Sequence, residues 1–136
     1  MLKTGLLHPE ILSALGESGH GSKVLIADGN YAFLTKVGKS TKIVYLNLAP
    51  DNVTVTEVLQ ALLTVINVES ADVMMPESGE EPSIFAEFRE LLPEHELNKH
   101  ERFAFYDEAM DDHVTLMIAT GDTRLYANLL LTLDCV

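Results

Sequence analysis

The chain has 136 residues, and 9 Lys and Arg against 21 Asp and Glu give it a formal charge of −12 at pH 7. A nucleic-acid binder held by phosphate neutralisation needs a basic stripe, so that class is excluded. A hydrophobic fraction of 47% excludes a disordered acidic tail, and the length suits one domain, residues 1–136, whose core needs neither disulfide nor structural metal.

Pro9-Glu-Ile-Leu-Ser-Ala-Leu-Gly16 starts with Pro at a first helical position and sets Ile11, Leu12 and Leu15 on one face, which predicts a short helix ending at Gly16 to Gly19. Val24-Leu-Ile-Ala27 reads as a buried strand stopped by the turn residues Asp28-Gly29-Asn30, and Lys42 to Leu48 as a second strand. Thr54-Val-Thr-Glu57 has the form of a capping box and opens a helix over Val58 to Ile66. Ala71 to Met75 is a short strand. A second box-like pair, Ser78 and Glu81, precedes the amphipathic pattern Ile84, Phe85, Phe88, Leu91, Leu92. Arg102 to Phe105 reads as a strand and Tyr106 to Asp111 as a short helix; Val114 to Ala119 and Leu129 to Leu133 are strands, the latter either central in the sheet or part of a subunit interface. Strands alternating with helices imply an α/β class, a three-layer α/β/α arrangement around a mostly parallel or mixed sheet.

The acidity is local. Residues 69–101 carry ten of the 21 carboxylates and a net charge of −8. This is the pattern of a solvated helix and its flanking loops; the competing reading is a docking surface for a basic partner. The adjacent residues Asp111, Asp112 and His113 rarely converge on one ion, so no metal site is expected. The single Cys135 has no internal disulfide partner, no run approaches a membrane span, and Met1 to Glu10 lacks signal-peptide order; a reducing, cytoplasmic setting is expected, without nucleic acid or membrane as partner.

Ligands of open α/β sheets lie beyond the carboxyl ends of strands, which draws attention to three places. These are Gly19-His20-Gly21 with Asp28 after its strand, Arg102 with Tyr106, and Gly121-Asp122 leading to Tyr126-Ala127-Asn128. An imidazole between two glycines titrates near neutral pH and suits proton transfer; the same tripeptide also reads as a helix C-cap with an exposed His. Asp-Gly is equally a common turn, Tyr106 a core aromatic and Arg102 a surface ion-pair partner. Phosphate loops, a Gly-x-Ser-x-Gly elbow, Cys-x-x-Cys and His-Glu-x-x-His are absent, so no cofactor is signalled.

In order along the chain, Met1-Leu-Lys-Thr4, the Pro9-Glu-x-Leu helix running into Gly19-His20-Gly21, Asp28 eight residues later, Arg102-Phe-Ala-Phe-Tyr106-Asp-Glu-Ala109 and Thr120-Gly-Asp-x-x-x-Tyr126-Ala-Asn128 resemble the D-ribose pyranase / L-fucose mutarotase family. The Arg102 block looks like the fucose branch. The middle departs from it: Tyr45 to Asp51 stands where that branch has an Arg-Ala-Asp-Gly stretch, and Ala127 where it prefers Gly. The resemblance implies an isomerase that interconverts anomers, and in some members pyranose and furanose forms, of a monosaccharide such as L-fucose or D-ribose without metal or other cofactor. It implies His20 as general acid/base, Tyr106 with Tyr126 for hydroxyl contacts or the second proton relay, and Asp28, Arg102, Glu69 and Tyr126-Ala127-Asn128 as sugar contacts. It further implies a homo-oligomeric ring, commonly a decamer, with sites at subunit boundaries. Two competing readings are a non-catalytic sugar-binding or regulatory module using the same pocket, and an acidic adaptor docking through residues 69–101.

Overall fold

The computed structural model describes residues 1–136. Helix α1 (Pro9–Gly16) starts at its proline and buries Ile11 and Ala14. Strand β1 (Lys23–Ala27) follows, then β2 (Lys42–Tyr45), which ends at Tyr45 rather than Leu48 because its ladder partner runs out there. Helix α2 (Val55–Leu62) begins directly after Thr54, whose hydroxyl accepts from Glu57 N while the Glu57 carboxylate accepts from Thr54 N. That box is worth about 1 kcal/mol, and the β-branched run Thr64-Val65-Ile66 beyond the helix favours extended backbone, so the expected end at Ile66 comes four residues early. Strand β3 (Val68–Met75), helix α3 (Ile84–Leu91), strand β4 (Leu97–Glu101), helix α4 (Arg102–Ala109), β5 (Val114–Ala119) and β6 (Leu129–Leu133) complete the order.

Two expectations are corrected by side-chain chemistry. Arg102 to Phe105 is not a strand but the first turn of α4: the Glu101 carboxylate accepts from Ala104 N at 2.8 Å as its N-cap, and Phe105 and Ala109, four residues apart, are the buried pair while Phe103 is exposed. Ser78 and Glu81 do not cap α3. The Glu81 carboxylate is held by Arg89 and Lys99 instead, Ser78 Oγ accepts from Glu80 N, and α3 begins after Ser83 without a side-chain cap.

The six strands form one sheet in the order β2-β5-β1-β6-β3-β4. Every strand but β6 runs the same way, and β6 is antiparallel to both neighbours, so the sheet is mixed. All five residues of β6 are buried, which makes it a central strand. One face is packed by α1, α2 and α3 through Ile11, Leu59, Phe85 and Phe88 against Ile26, Ile118 and Leu131; α4 covers the other through Phe105 and Ala109 against Leu25, Met117 and Leu130. The outcome is three layers. Fully burying Phe88 or Leu59 contributes about 1.5–3 kcal/mol each by area. Because β6 alone is reversed, its first residues lie beside the carboxyl ends of the other five strands, which brings Asn128 next to Asp28.

Candidate functional site

Asp28 emerges from β1 into the carboxyl end of the sheet and is almost fully buried. Its carboxylate accepts from Asn30 N (2.9 Å), from Asn128 Nδ2 (3.0 Å) and from Ala127 N, while its own N–H donates to Asn128 Oδ1 (2.8 Å). Both ends of the Asn128 amide are thereby committed, and the two side chains are locked as a pair. Burial raises the Asp28 carboxyl above its ordinary value, outweighing the three N–H donors that pull it down.

Tyr126 sits at φ 60°, a left-handed conformation that costs a non-glycine residue on the order of 1 kcal/mol or more. The turn it makes delivers fully buried Ala127 and then Asn128 to the sheet. Gly121 sustains the same loop from its other side: a Cβ there would lie 2.2 Å from Ala49 O, so only glycine fits.

Helix α4 starts at the same end, and its helical spacing puts Arg102 and Tyr106 on one face, with Arg102 Nε donating to Tyr106 Oη at 3.3 Å. The guanidinium also lies 5.6 Å from the centre of the Tyr106 ring, and Lys36 Nζ 5.4 Å from it. The hydrogen bond to Tyr106 raises the Arg102 guanidinium further, with the Tyr106 and Tyr126 oxygens adding to the effect.

Tyr31 and Lys36 belong to this end of the sheet without any signal that singled them out. The Tyr31 ring meets Tyr106 edge-on at 5.7 Å, and its hydroxyl donates to Lys36 O at 2.8 Å. Burial pushes the Tyr31 phenol up, and neighbouring Tyr106 and Asp28 add to it. The Asp-Gly-Asn stretch before Tyr31 reads as a plain turn, so nothing in the sequence points beyond it to Tyr31.

Asp122, next to these residues in sequence, has a different task. Its fully buried carboxylate accepts from Val55 N (2.9 Å), the first residue of α2, and from Arg124 through Nε (3.0 Å) and Nη2 (2.7 Å); Arg124 also pairs with Glu87. Burial raises this carboxyl, but the Arg124 and backbone hydrogen bonds together hold it below the ordinary value. A cleft of about 290 Å³ lined by Gly29, Asn30, Asn47, Thr120 and Thr123 opens beside it.

His20 and Glu69 lie elsewhere. His20 precedes β1 whereas Asp28 follows it, and five strand residues separate the two ends by about 16 Å. Half exposed, His20 presents Nε2 at 3.4 Å from Glu69 Oε2 and faces a cavity of about 600 Å³ lined by Leu12, Leu15, Val65, Ile66 and Cys135. Asp28, Arg102, Tyr106, Tyr126, Ala127 and Asn128 thus share one end of the sheet, and His20 with Glu69 the other.

Residues 1–136 match the model of the RbsD / FucU transport protein family. The chain is similar to the fucose mutarotase of Danio rerio, 32% identical over 141 residues with 93% of this chain and 87% of that one covered. It is 30% identical to the D-ribose pyranase of Streptomyces avermitilis over 131 residues, covering 96% of this chain and 95% of the other. Among solved structures, the fucose mutarotase of Streptococcus pneumoniae in complex with L-fucose superposes with a TM-score of 0.85 at 24% identity over 100% of this chain and 99% of that one, a likeness of fold. A match along the whole chain, on the same mixed α/β architecture, shows that this protein belongs to the RbsD / FucU family.

Proposed function

We propose that this chain is a cofactor-independent isomerase, a sugar mutarotase, forming one mutarotase-like domain over residues 1–136. The observation that carries the reading is the joining of Asp28, Asn128, Arg102, Tyr106 and Tyr126 at the carboxyl end of the sheet in a member of this family. Interconverting anomers requires the anomeric hydroxyl to lose a proton while the ring oxygen gains one, so that the bond between anomeric carbon and ring oxygen breaks. The resulting aldehyde rotates and recloses with the proton roles reversed. The net change is stereochemical only, and attack by a different hydroxyl gives the other ring size.

The residue types suit these demands. Asp28 and Arg102 offer charge-assisted hydrogen bonds to sugar hydroxyls, and Tyr126-Ala127-Asn128 lines the site with backbone and amide groups. Tyr106 and Tyr126 can relay protons, and His20 supplies an imidazole able to serve as general acid and base. Each positioned acid or base contributes about 10²–10⁴-fold. Because β1 keeps His20 and Glu69 from Asp28 within one chain, they reach a sugar at Asp28 when the His20 end of one copy docks on the Asp28 end of the next. Such a head-to-tail contact closes into a ring, and we infer a ring-shaped homo-oligomer, a decamer in the family's manner. Exposed apolar side chains at both ends, Phe103 and Leu125 at one and Val65 at the other, support that contact. No helix is long and apolar enough to cross a membrane. We also infer a cytoplasmic setting, which the exposed single thiol of Cys135 supports.

Two-dimensional exchange NMR on L-fucose and D-ribose tests the assignment. The protein is expected to accelerate anomer exchange on at least one of them and to lose the acceleration in His20→Ala. No acceleration across a panel of pentoses and deoxyhexoses, or full acceleration by His20→Ala, overturns it.

A further inference from the structure

The end of the sheet that carries His20 gathers more chemistry than a proton transfer needs. Gly21 N donates to Leu133 O (3.0 Å) and Leu133 N to Ser22 O (2.9 Å), so the turn after His20 is fastened to the chain where it leaves β6. From the other side, Asp134 N donates to Asn67 O (3.0 Å) and Asn67 Nδ2 to Cys135 O (2.9 Å). These four bonds hold three different ligand types together although their positions are 114 and 115 residues apart in the chain: an imidazole nitrogen of His20, a carboxylate oxygen of Asp134 and the Cys135 sulfur all lie within 4.8 Å of one another. The Glu69 carboxylate reaches the same imidazole, Nε2 to Oε2 at 3.4 Å. The cavity of about 600 Å³ in front of them has apolar walls, Leu12, Leu15 and Ile66, and an open mouth.

We propose that His20, Asp134 and Cys135 form a binding site for a thiophilic divalent transition-metal ion of the zinc class, and that the bound ion withdraws His20 from proton transfer. Zinc–sulfur and zinc–nitrogen bonds of about 2.3 and 2.0 Å in a tetrahedron place ligand atoms roughly 3.3–3.8 Å apart, a contraction of about 1 Å that exposed side chains make by rotamer adjustment. Thiolate and imidazole select zinc or cobalt over magnesium or calcium, whose preferred ligands are all oxygen. Asp134 keeps one oxygen for the ion, the other accepting from Cys135 N at 2.7 Å. The remaining close His–Asp pairs, His100 with Asp72 and His113 with Asp111, have no third donor in such a group. Metal binding stands independently of the mutarotase reading; the silencing of His20 rests on it.

Cobalt(II) titration of the intact, metal-stripped chain tests the site. One ion per chain is expected, with a near-ultraviolet thiolate-to-cobalt charge-transfer band and the intense visible bands of a tetrahedral ion, all displaced by zinc. Removing a ligand weakens metal binding by more than the ~10–100-fold that loss of an outer hydrogen-bond partner costs. Cys135→Ser is therefore expected to abolish the charge-transfer band and bind zinc at least about 100-fold more weakly, Asp134→Asn to weaken binding with the band retained, and His113→Ala to bind as the parent does. No charge-transfer band, or one that survives in Cys135→Ser, overturns the site. In exchange NMR, zinc is expected to slow the parent and leave Cys135→Ser, whose basal rate is unchanged, unaffected. A filled site that leaves the parent's exchange rate alone overturns the silencing, whereas a metal-free parent with no exchange activity counts against the mutarotase reading and not against the metal site.

Discussion

The two ends of the sheet hold their polar residues in opposite ways. At the carboxyl end, Asp28, Asn128 and Asp122 are buried, each carboxylate accepts several N–H groups, and Gly121 and Tyr126 adopt conformations or contacts that their neighbours over-determine. At the amino end of β1, His20, Glu69, Asp134 and Cys135 are exposed, and their positions come from backbone pairing of the flanking residues. A preorganised crevice needs the first arrangement, since hydroxyl recognition depends on donors and acceptors that do not move. A group that must change protonation state, or change partner when copies assemble, needs the second. In the proposed head-to-tail assembly the two ends are complementary half-sites.

The largest expected effect tests that division directly. His20→Ala alone is predicted to reduce anomer exchange by at least about 100-fold, and Arg102→Ala, which removes charge-assisted hydrogen bonds worth about 1.5–3 kcal/mol, by roughly 10–100-fold. Neither side chain is part of the core, so both variants are expected to fold. Co-assembled in equal amounts, they recover about a quarter of the parent rate if each site draws His20 from one copy and Arg102 from another. A mixture no faster than the mean of its components would place both residues of a working site in one chain and break the comparison.

Next in size is the stability of the buried end. Asp122→Asn leaves Arg124 without its carboxylate and removes a charged acceptor from the first residue of α2. Breaking a buried, hydrogen-bonded pair costs about 3–5 kcal/mol; because Arg124 is partly exposed, about 2–4 kcal/mol is expected, or a Tm loss of about 7–14 °C for 136 residues. The carboxyl of Asp122 is lowered on folding, so its contribution is full above the unfolded value near pH 3.9 and is lost as pH falls through the folded one. The parent's acid limb is accordingly expected to flatten in Asp122→Asn. By contrast, Glu69→Gln at the exposed end is predicted to change stability by less than about 0.5 kcal/mol, measured by urea unfolding, since a half-exposed pair is solvent-screened.

The same contrast explains what could be read along the chain. β1, β5, β6 and α1 announce themselves through apolar runs and a proline, and α2 through a capping box whose two partners have no competing claim. The Ser78 and Glu81 pair has the same form and fails, because Arg89 and Lys99, eight and 18 residues onward, take the carboxylate. β4 was not legible at all: Leu97-Asn-Lys-His-Glu101 offers one apolar side chain, as an edge strand with charged positions does, and its absence shifted Arg102 to Phe105 into a false strand. Asp28 could be found by looking just past a legible strand, whereas Arg102 follows the illegible β4 and Asn128 precedes the reversed β6, so they stand out only as polar residues flanking strand candidates. The separation of His20 from Asp28 is already implied by the strand Val24–Ala27 between them, but grouping the two by nearness in sequence places them in one site.

The smallest expected effect asks whether burial, rather than membership of an ion-pair network, makes the carboxyl end stable. Glu81 bonds Arg89 through two oxygens and Lys99 through one, and these hydrogen bonds and charges hold its carboxyl down at about 2. On linkage alone, its contribution would be complete above pH 4.5 and lost between there and pH 2. Yet the cluster is open to water, where ordering three long side chains offsets most of the Coulomb gain and salt screens what is left. Glu81→Gln is therefore predicted to lower Tm at neutral pH by no more than about 2 °C, with the difference vanishing in ~1 M salt. The loss in Asp122→Asn should persist there, because neither salt nor water reaches a fully buried carboxylate. Equal salt sensitivity in the two variants would mean that the buried network draws on long-range charge in the same way as the exposed one.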